Sequence, residues 1–189
     1  RVELTGGHDA AGKANSRSWM EHTPVTQKLW ETHLSGGESL GIVPATEEGV
    51  LWWAAFDVDI YLGQLDFPKL LKQIDDNKLP FIAVRSKSGG AHVYVFFSSP
   101  ADGKKVIQTV KEFTAFFGYG RCEVFPKQPR IDKTANGAVR QGSWMSMPYN
   151  GPHSPRYAVK TAGTNGTPDE AYTASEFMDL VDQRRIDPE

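Results

Sequence analysis

The stretch "AAFDVDIY" at residues 54–61 places two aspartates, one residue apart, inside the most apolar part of the chain. Ionised carboxylates are costly to bury unless they are paired or bound to a metal ion. No lysine or arginine occurs between Lys28 and Lys69, so the neighbouring sequence offers no cationic partner. What Asp57 and Asp59 bind is therefore the question on which fold and function both depend.

Both aspartates point the same way if this stretch is a β-strand, because side chains alternate between the two faces of a strand. Asp57 and Asp59 then lie about 7 Å apart along the strand, on a face shared with Tyr61. The other face is apolar and is predicted to form the core, through Trp52, Ala54, Phe56, Val58 and Ile60. Two carboxylates on a rigid strand suit Mg²⁺ or Mn²⁺. A solvent-facing pair at a strand end is the alternative.

The composition is that of a globular protein with one ordinary domain or two closely packed modules. The 189 residues are 39% hydrophobic and 23% charged, with a formal net charge of −2. There is thus no overall basic signal for nucleic acid, although a local groove matters more than the sum. We expect one domain over residues 1–189, as a fragment of a longer protein, because the chain begins with Arg1 and ends on charged residues.

The expected location is the cytoplasm. A single cysteine, Cys122, excludes an internal disulfide and fits a reducing compartment. No apolar run approaches the roughly 18 residues of a membrane span, and no signal peptide is visible. No membrane partner is expected.

Helix and strand patterns interleave with hairpins, which predicts an α+β fold with mixed or antiparallel sheets. The predicted helices cover residues 23–34, 66–79, 101–118 and 173–183. Thr23 and Asp66 are the predicted caps of the first two, with Pro24 in the first turn, and Thr173 with Glu176 forms a capping box in the last. The predicted strands cover residues 39–45, 50–61, 81–86, 91–97, 122–126 and 143–149, and residues 1–22 are predicted to be irregular.

The segment "RSKSGGAHVYVFF" at residues 85–97 predicts a β-hairpin, because Gly89 and Gly90 allow the positive φ angles of a tight turn. Small residues leave backbone N–H groups exposed, and such a turn can bind phosphate oxygens. The candidate phosphate-binding residues here are Arg85, Ser86, Lys87, Ser88 and His92. An ordinary turn with a structural histidine is the alternative. Serine–histidine nucleophilic catalysis lacks both a G-x-S-x-G elbow and an acidic partner.

The segment "CEVFPKQ" at residues 122–128 offers a third carboxylate, Glu123, beside an apolar strand. A two-metal site normally needs a further acid, and Asp132 is the reserve candidate, so the choice stays open. Lys127 can meet a phosphate as a point charge. The alternative is an edge strand ended by Pro126, with both charges solvated.

The loop at residues 127–142 is locally basic, which suits a polynucleotide backbone but is also common on solvated surfaces. Its cations are Lys127, Arg130, Lys133 and Arg140. Trp144 and Tyr149 follow it and can stack on a base or, more commonly, pack in a core.

Taken in order, these segments resemble the archaeo-eukaryotic primase superfamily, and most closely the primase-polymerases of bacteriophages and mobile elements. The resemblance lies in "HLSGGESLGIVPA", "WWAAFDVDIY", "LPFIAVRSKSGGAHVYVFF", "EVFPKQ" and "GSWMSMPYNG" and covers roughly residues 29–157. It implies an archaeo-eukaryotic primase-like fold, in which an α/β module and an RNA-recognition-like antiparallel sheet module meet at a catalytic cleft.

The resemblance also implies template-dependent nucleotidyl transfer from a dNTP or NTP to a 3′-hydroxyl. The implied ligands of catalytic Mg²⁺ or Mn²⁺ are Asp57, Asp59 and Glu123. The implied contacts to the triphosphate are Ser86, Ser88, His92 and Lys127, with Arg85 and Lys87 adjacent. Tyr61, on the aspartate face, is a candidate for the residue that selects the sugar.

The implied partners are a single-stranded DNA template, a primer, the dNTP or NTP, and a helicase domain in the full-length protein. The implied setting is phage or mobile-element DNA replication in a bacterial host cell. Two alternatives remain open: a metal-dependent nuclease, and a DNA-binding module of a replication protein without catalysis.

Overall fold

The computed structural model describes residues 2–8, 14–20, 25–60, 65–164 and 166–188. Thr23, Pro24 and Tyr61, for which a helix start and a sugar-selecting role are predicted, lie outside these residues. The helices are α1 (Gln27–Leu34), α2 (Phe67–Asp76), α3 (Gly103–Phe116) and α4 (Ala174–Arg184). The strands are β1 (Val2–His8), β2 (Ala14–Ser18), β3 (Gly41–Ile42), β4 (Val50–Val58), β5 (Ile82–Arg85), β6 (Ala91–Asp102), β7 (Glu123–Phe125), β8 (Met145–Ser146), β9 (Val159–Thr161) and β10 (Glu170–Ala171).

A four-stranded sheet in the order β5–β6–β4–β7 forms the centre, and every neighbouring pair in it is antiparallel. The predicted α+β class with antiparallel sheets is confirmed. On one face, Ala54, Phe56 and Val58 of β4 share an apolar cluster with Leu70 of α2 and Val110 of α3. In the part of the chain that the structure describes, no helix has both the length and the apolarity to cross a membrane.

The opposite face of this sheet is also covered. Ala55, Tyr94 and Phe125 lie there in a second cluster with Phe177 and Val181 of α4. A strand buried on both faces reads as a continuous apolar run rather than as an alternation. This double burial explains why β4 is so apolar, and why a carboxylate on it is costly.

Local signals set the helix ends largely as predicted. The side chain of Asp66 accepts from the backbone N–H of Lys69, the third residue of α2, and Thr173 and Glu176 form the reciprocal capping box of α4. Helix α1 begins later than predicted, after a cap at Thr26.

Two of the apolar residues predicted to face the core from β4 are instead exposed, Trp52 at 51% and Ile60 at 44%. The register of β4 against β6 shifts between Leu51 and Trp53, so the alternation of faces restarts there. Leu51 is consequently buried and Trp52 exposed. Ile60 lies beyond the strand, which ends at Val58 rather than continuing to residue 61.

Residues 1–22 are predicted to be irregular, and this is wrong for residues 2–8 and 14–18, which form strands. Strands β1 and β2 pair antiparallel, with Val2 opposite Ser18 and Leu4 opposite Ser16. A ladder of backbone hydrogen bonds does not require apolar side chains, so a composition rich in Gly, Ala and Ser concealed it.

Candidate active site

Strand pairing brings three of the predicted site residues onto one line across the sheet. Asp57 of β4 lies directly opposite His92 of β6 on one side and Glu123 of β7 on the other. His92 in turn lies opposite Val84 of β5. Residues opposed in this way point to the same face with Cα atoms roughly 4.5–5.5 Å apart. Two carboxylates and an imidazole therefore share one patch near the end of β4.

The predicted hairpin turn adjoins this line. The Ser86 N–H donates to the Gly90 carbonyl over 2.9 Å, which extends the β5–β6 pairing into the turn. The turn abuts the end of β4, because a Cβ on Gly90 would lie 2.4 Å from the Val58 carbonyl oxygen. Asp59 comes directly after Val58, so the second aspartate and the turn meet at the same end of the sheet.

The Asp57 carboxylate has an unfavourable environment. Its Oδ1 atom is buried and accepts no hydrogen bond, and His92 Nε2 is 3.7 Å away. Burial raises the pKa of Asp57 to about 7, and the negative charges of Asp59 and Glu123 add to the rise. Near neutral pH this carboxyl is thus divided between its protonated and ionised forms.

Glu123 and Lys127 form an ion pair at the edge of the patch. Lys127 Nζ donates to Glu123 Oε1 over 2.7 Å, and both side chains are about half exposed. The backbone N–H of Lys127 donates to Ser143 Oγ over 2.8 Å, which fixes the start of the following loop. Asp132, the reserve candidate for the third acid, lies in that loop and pairs with Arg130. The structure therefore brings Glu123 beside Asp57.

The turn itself presents small polar groups. Ser86 is buried and its Oγ lies 3.2 Å from Ser88 Oγ, whereas Ser88 and Lys87 are exposed. Gly89 has a φ of +89°, as the turn requires. Gly90 does not have a positive φ and is needed instead for its close approach to β4.

His92 is buried and uncharged at neutral pH. Burial, and then the positive charge of Arg156, lowers its pKa to about 4. Its Nδ1 atom is buried without a hydrogen-bond partner. This histidine is thus available to a ligand as a neutral hydrogen-bonding group rather than as a cation.

Arg85 has a protein partner. Its guanidinium forms two hydrogen bonds with Asp169, of 2.8 and 2.7 Å, and lies 3.9 Å from the centroid of the Phe67 ring. Asp169 also accepts from Tyr157 Oη and from the Gly163 N–H. Contact of Arg85 with a nucleotide stays a prediction. The hydrogen bonds among Arg85, Asp169 and Tyr157 hold the start of the hairpin turn in place.

We expect Asp169→Asn to destabilise the protein by about 3 kcal/mol, because it leaves the half-buried Arg85 without a counter-ion. The two side chains are only 20% and 7% exposed. Urea denaturation of the wild type and the variant measures the loss. The matched control is Asp76→Asn, whose pair with Lys72 is exposed and is worth less than about 1 kcal/mol. Equal losses in the two variants would contradict the bracing role.

The aromatic residues after the basic loop have structural surroundings. Tyr149 packs on Phe177 with ring centroids 5.4 Å apart, and its hydroxyl donates to the Tyr172 carbonyl. Trp144 lies against Gly41, where a Cβ would come within 2.3 Å of the indole. Core packing, the commoner of the two predicted roles, therefore describes Tyr149.

Sequence reasoning missed Arg156. The segment at residues 156–158 runs antiparallel alongside β5. The Arg85 N–H donates to the Tyr157 carbonyl over 2.8 Å, and Val84 pairs with Ala158 in an antiparallel bridge. Arg156 is thereby level with Ser86. No local motif marks it, because only the pairing of segments some 70 positions apart brings it to the site.

The carboxylates fit a divalent cation. Asp57 Oδ1 is an orphaned buried acceptor. Burial, and then repulsion by Asp59 and Glu123, raises the pKa of Asp57, and a bound cation would lower it again. Oxygen donors of this kind suit Mg²⁺ and Mn²⁺. Among residues 25–60, 65–164 and 166–188, no group of three or more His, Cys, Asp or Glu side chains is arranged so that it could hold a metal ion. Glu123 is engaged by Lys127.

Residues 7–148 match the family described as the archaeo-eukaryotic primase domain of the TOTE conflict system. The match covers most of the 189 residues, and the chain belongs to this family. The superfamily predicted from the sequence is confirmed, and primase-like nucleotidyl transfer is the chemistry that the family suggests. None of the curated proteins matches this chain.

Proposed function

We propose that this domain is a template-dependent primase-polymerase that transfers a nucleotide from a dNTP or NTP to a 3′-hydroxyl. The observation that carries the proposal is the position of Asp57 between His92 and Glu123, with an orphaned buried oxygen and a raised pKa, in a primase-family chain. The division into an α/β module and an RNA-recognition-like sheet module is part of this proposal.

Asp57, Asp59 and Glu123 would hold the divalent cations. When bound, Mg²⁺ or Mn²⁺ lowers the pKa of the attacking hydroxyl and neutralises charge on the phosphates. The 3′-oxygen forms a bond to the α-phosphorus, the bond from that phosphorus to pyrophosphate breaks, and the hydroxyl proton passes to solvent.

The hairpin turn would hold the leaving phosphates. The hydroxyls of Ser86 and Ser88 and the backbone N–H groups between them supply neutral donors, and Lys87 supplies a cation at the exposed tip. Neutral His92 supplies a further hydrogen bond. When the Glu123 side chain rotates to bind a metal ion, Lys127 would leave its ion pair with Glu123 and bind a phosphate oxygen instead. These groups act mainly by positioning and by stabilising charge.

The proposed setting is a conflict system, which the matched family's description names, rather than the phage replication suggested by resemblance alone. The basic loop with Arg130 and Lys133 would contact the backbone of a single-stranded DNA template. A primer and a helicase domain in the full-length protein remain proposed partners, and the bacterial cytoplasm the proposed location.

An extension assay tests the function. Labelled dNTPs or NTPs are supplied on a single-stranded template, with and without a primer, in Mg²⁺ and in Mn²⁺. Template-dependent products that disappear in the Asp57→Ala/Asp59→Ala variant would support a polymerase, and products without a primer would make it a primase. Degraded template with intact triphosphates would instead indicate a nuclease. Salt-sensitive DNA binding that needs neither nucleotide nor metal would indicate a non-catalytic module.

A further inference from the structure

Among the residues that the structure describes, no acidic side chain pairs with Arg156. Its Nε atom is buried and has no hydrogen-bond partner. In the described part of the chain, no carboxylate lies within 4.0 Å of its guanidinium. Burial of an unpaired charge is costly, and such residues concentrate where a charged ligand binds.

The backbone around Arg156 is held firmly. Its carbonyl accepts from the Tyr149 N–H over 2.9 Å, and its N–H donates to Ser154 Oγ over 3.2 Å. The same segment is tied to α1, because Asn150 Nδ2 donates to the His33 carbonyl over 3.0 Å. The backbone entropy of positioning this arginine is therefore already lost in folding, which favours ligand binding.

The ring of His33 completes this attachment. The Leu40 N–H donates to Nδ1 over 3.1 Å, so the proton lies on Nε2, which donates to the Pro148 carbonyl over 2.8 Å. His33 is fully buried, and its role is structural. It fixes the start of the segment that ends at Arg156.

Arg156 faces the candidate site rather than a separate surface. It is level with Ser86 in the pairing beside β5, two residues along from Val84, which lies on the line of His92 and Asp57. Its positive charge acts on both of those residues. No carboxylate of the described residues pairs with its guanidinium there, so an anionic ligand would supply the missing partner.

We propose that Arg156 binds the polyphosphate of the incoming nucleotide, from the side of the turn opposite the carboxylates. This inference rests on the proposed function and adds a residue to it. Arg156 lies outside residues 7–148, so the family match does not assign it. A planar guanidinium suits the paired oxygens of a phosphate, to which it can donate two parallel hydrogen bonds.

Calorimetric binding of a dNTP, of its nucleoside and of inorganic tripolyphosphate, all with Mg²⁺, tests the proposal. We expect Arg156→Gln to weaken dNTP and tripolyphosphate binding by about 10- to 100-fold, as loss of a charge-assisted pair predicts. Nucleoside binding should be unchanged. The control is Arg185→Gln, which removes an arginine that pairs with Asp182 at the end of α4. It should bind all three ligands as the wild type does.

The melting temperature separates binding from a structural role. Arg156 is partly buried and its guanidinium pairs with no described carboxylate, so its removal should leave the melting temperature unchanged or raise it. A lower melting temperature with equal weakening of every ligand would overturn the inference, as would triphosphate binding equal to that of Arg185→Gln. If the wild type did not bind dNTP, both the proposed function and this inference would be overturned. If only Arg156→Gln bound dNTP and tripolyphosphate more weakly, both would be supported.

Discussion

Replacing Asp57 with asparagine is expected to reduce nucleotide transfer roughly a thousandfold, the effect of losing one preorganised electrostatic group, while making the metal-free protein more stable. The two effects have one cause. Asp57 is held in a buried place beside Asp59 and Glu123, where its negative charge is unfavourable unless a cation is bound. Asparagine keeps the shape and removes that charge. Stability sacrificed at a site in this way is typical of active sites.

The pH dependence gives this stabilisation a definite sign. The folded pKa, about 7, lies above the ordinary value of 3.8. The carboxyl therefore contributes fully to stability below pH 3.8, and the contribution is lost as pH rises to about 7. The free energy of unfolding of Asp57→Asn minus that of the wild type should grow over this interval by on the order of 2–4 kcal/mol and then level off.

Urea denaturation in a chelator, at steps between pH 4 and pH 8, measures this difference. The control is Asp132→Asn, because Asp132 lies in the loop and pairs with Arg130. The free energy of unfolding of Asp132→Asn should change with pH as that of the wild type does, and this variant should retain activity. If the free energy of unfolding of Asp57→Asn followed that of the wild type at every pH, or if this variant still transferred nucleotides, the assignment of Asp57 as a metal ligand would be contradicted. Activity lost in Asp132→Asn but kept in Glu123→Gln would move the third acid to Asp132.

Gly90→Ala is expected to lower activity about 100-fold, since a displacement near 1 Å in a positioned site has that effect. The new Cβ would lie 2.4 Å from the Val58 carbonyl oxygen and 3.0 Å from Ser86 Oγ. A backbone atom cannot yield as a flexible side chain does, so the turn must move away from β4. The same crowding should destabilise the protein by about 1–3 kcal/mol.

Gly89→Ala is the matched control for this substitution. Gly89 has a φ of +89°, which is strained for alanine, but a Cβ there meets nothing within 4 Å. Its stability should fall by about 1–2 kcal/mol, while the turn keeps its place beside β4. Melting curves and initial rates of both variants separate the effect of backbone strain at residue 89 from the effect of moving the turn away from β4. Equal activity losses would show that stability, rather than the position of the turn, limits the rate.

Much of this architecture was predictable because its causes are local. The cap at Asp66 and the capping box at Thr173 depend on residues three positions apart. The hairpin depends on its own glycines, with β5 and β6 on either side. The register shift after Leu51 could not be read from the sequence, since it depends on how β4 pairs with β6. The pairing of β1 with β2 was likewise concealed.

The sequence by itself determined the α+β class, the superfamily and the residue types of the candidate site, including the two aspartates and the small-residue turn before His92. Only the tertiary structure decided which acid lies beside Asp57, that Asp169 holds Arg85, and that Arg156 reaches the site. The physical reason is the range of the interactions. Alternation, caps and turns act over a few residues, whereas strand register and charge pairing join segments that are distant in the chain.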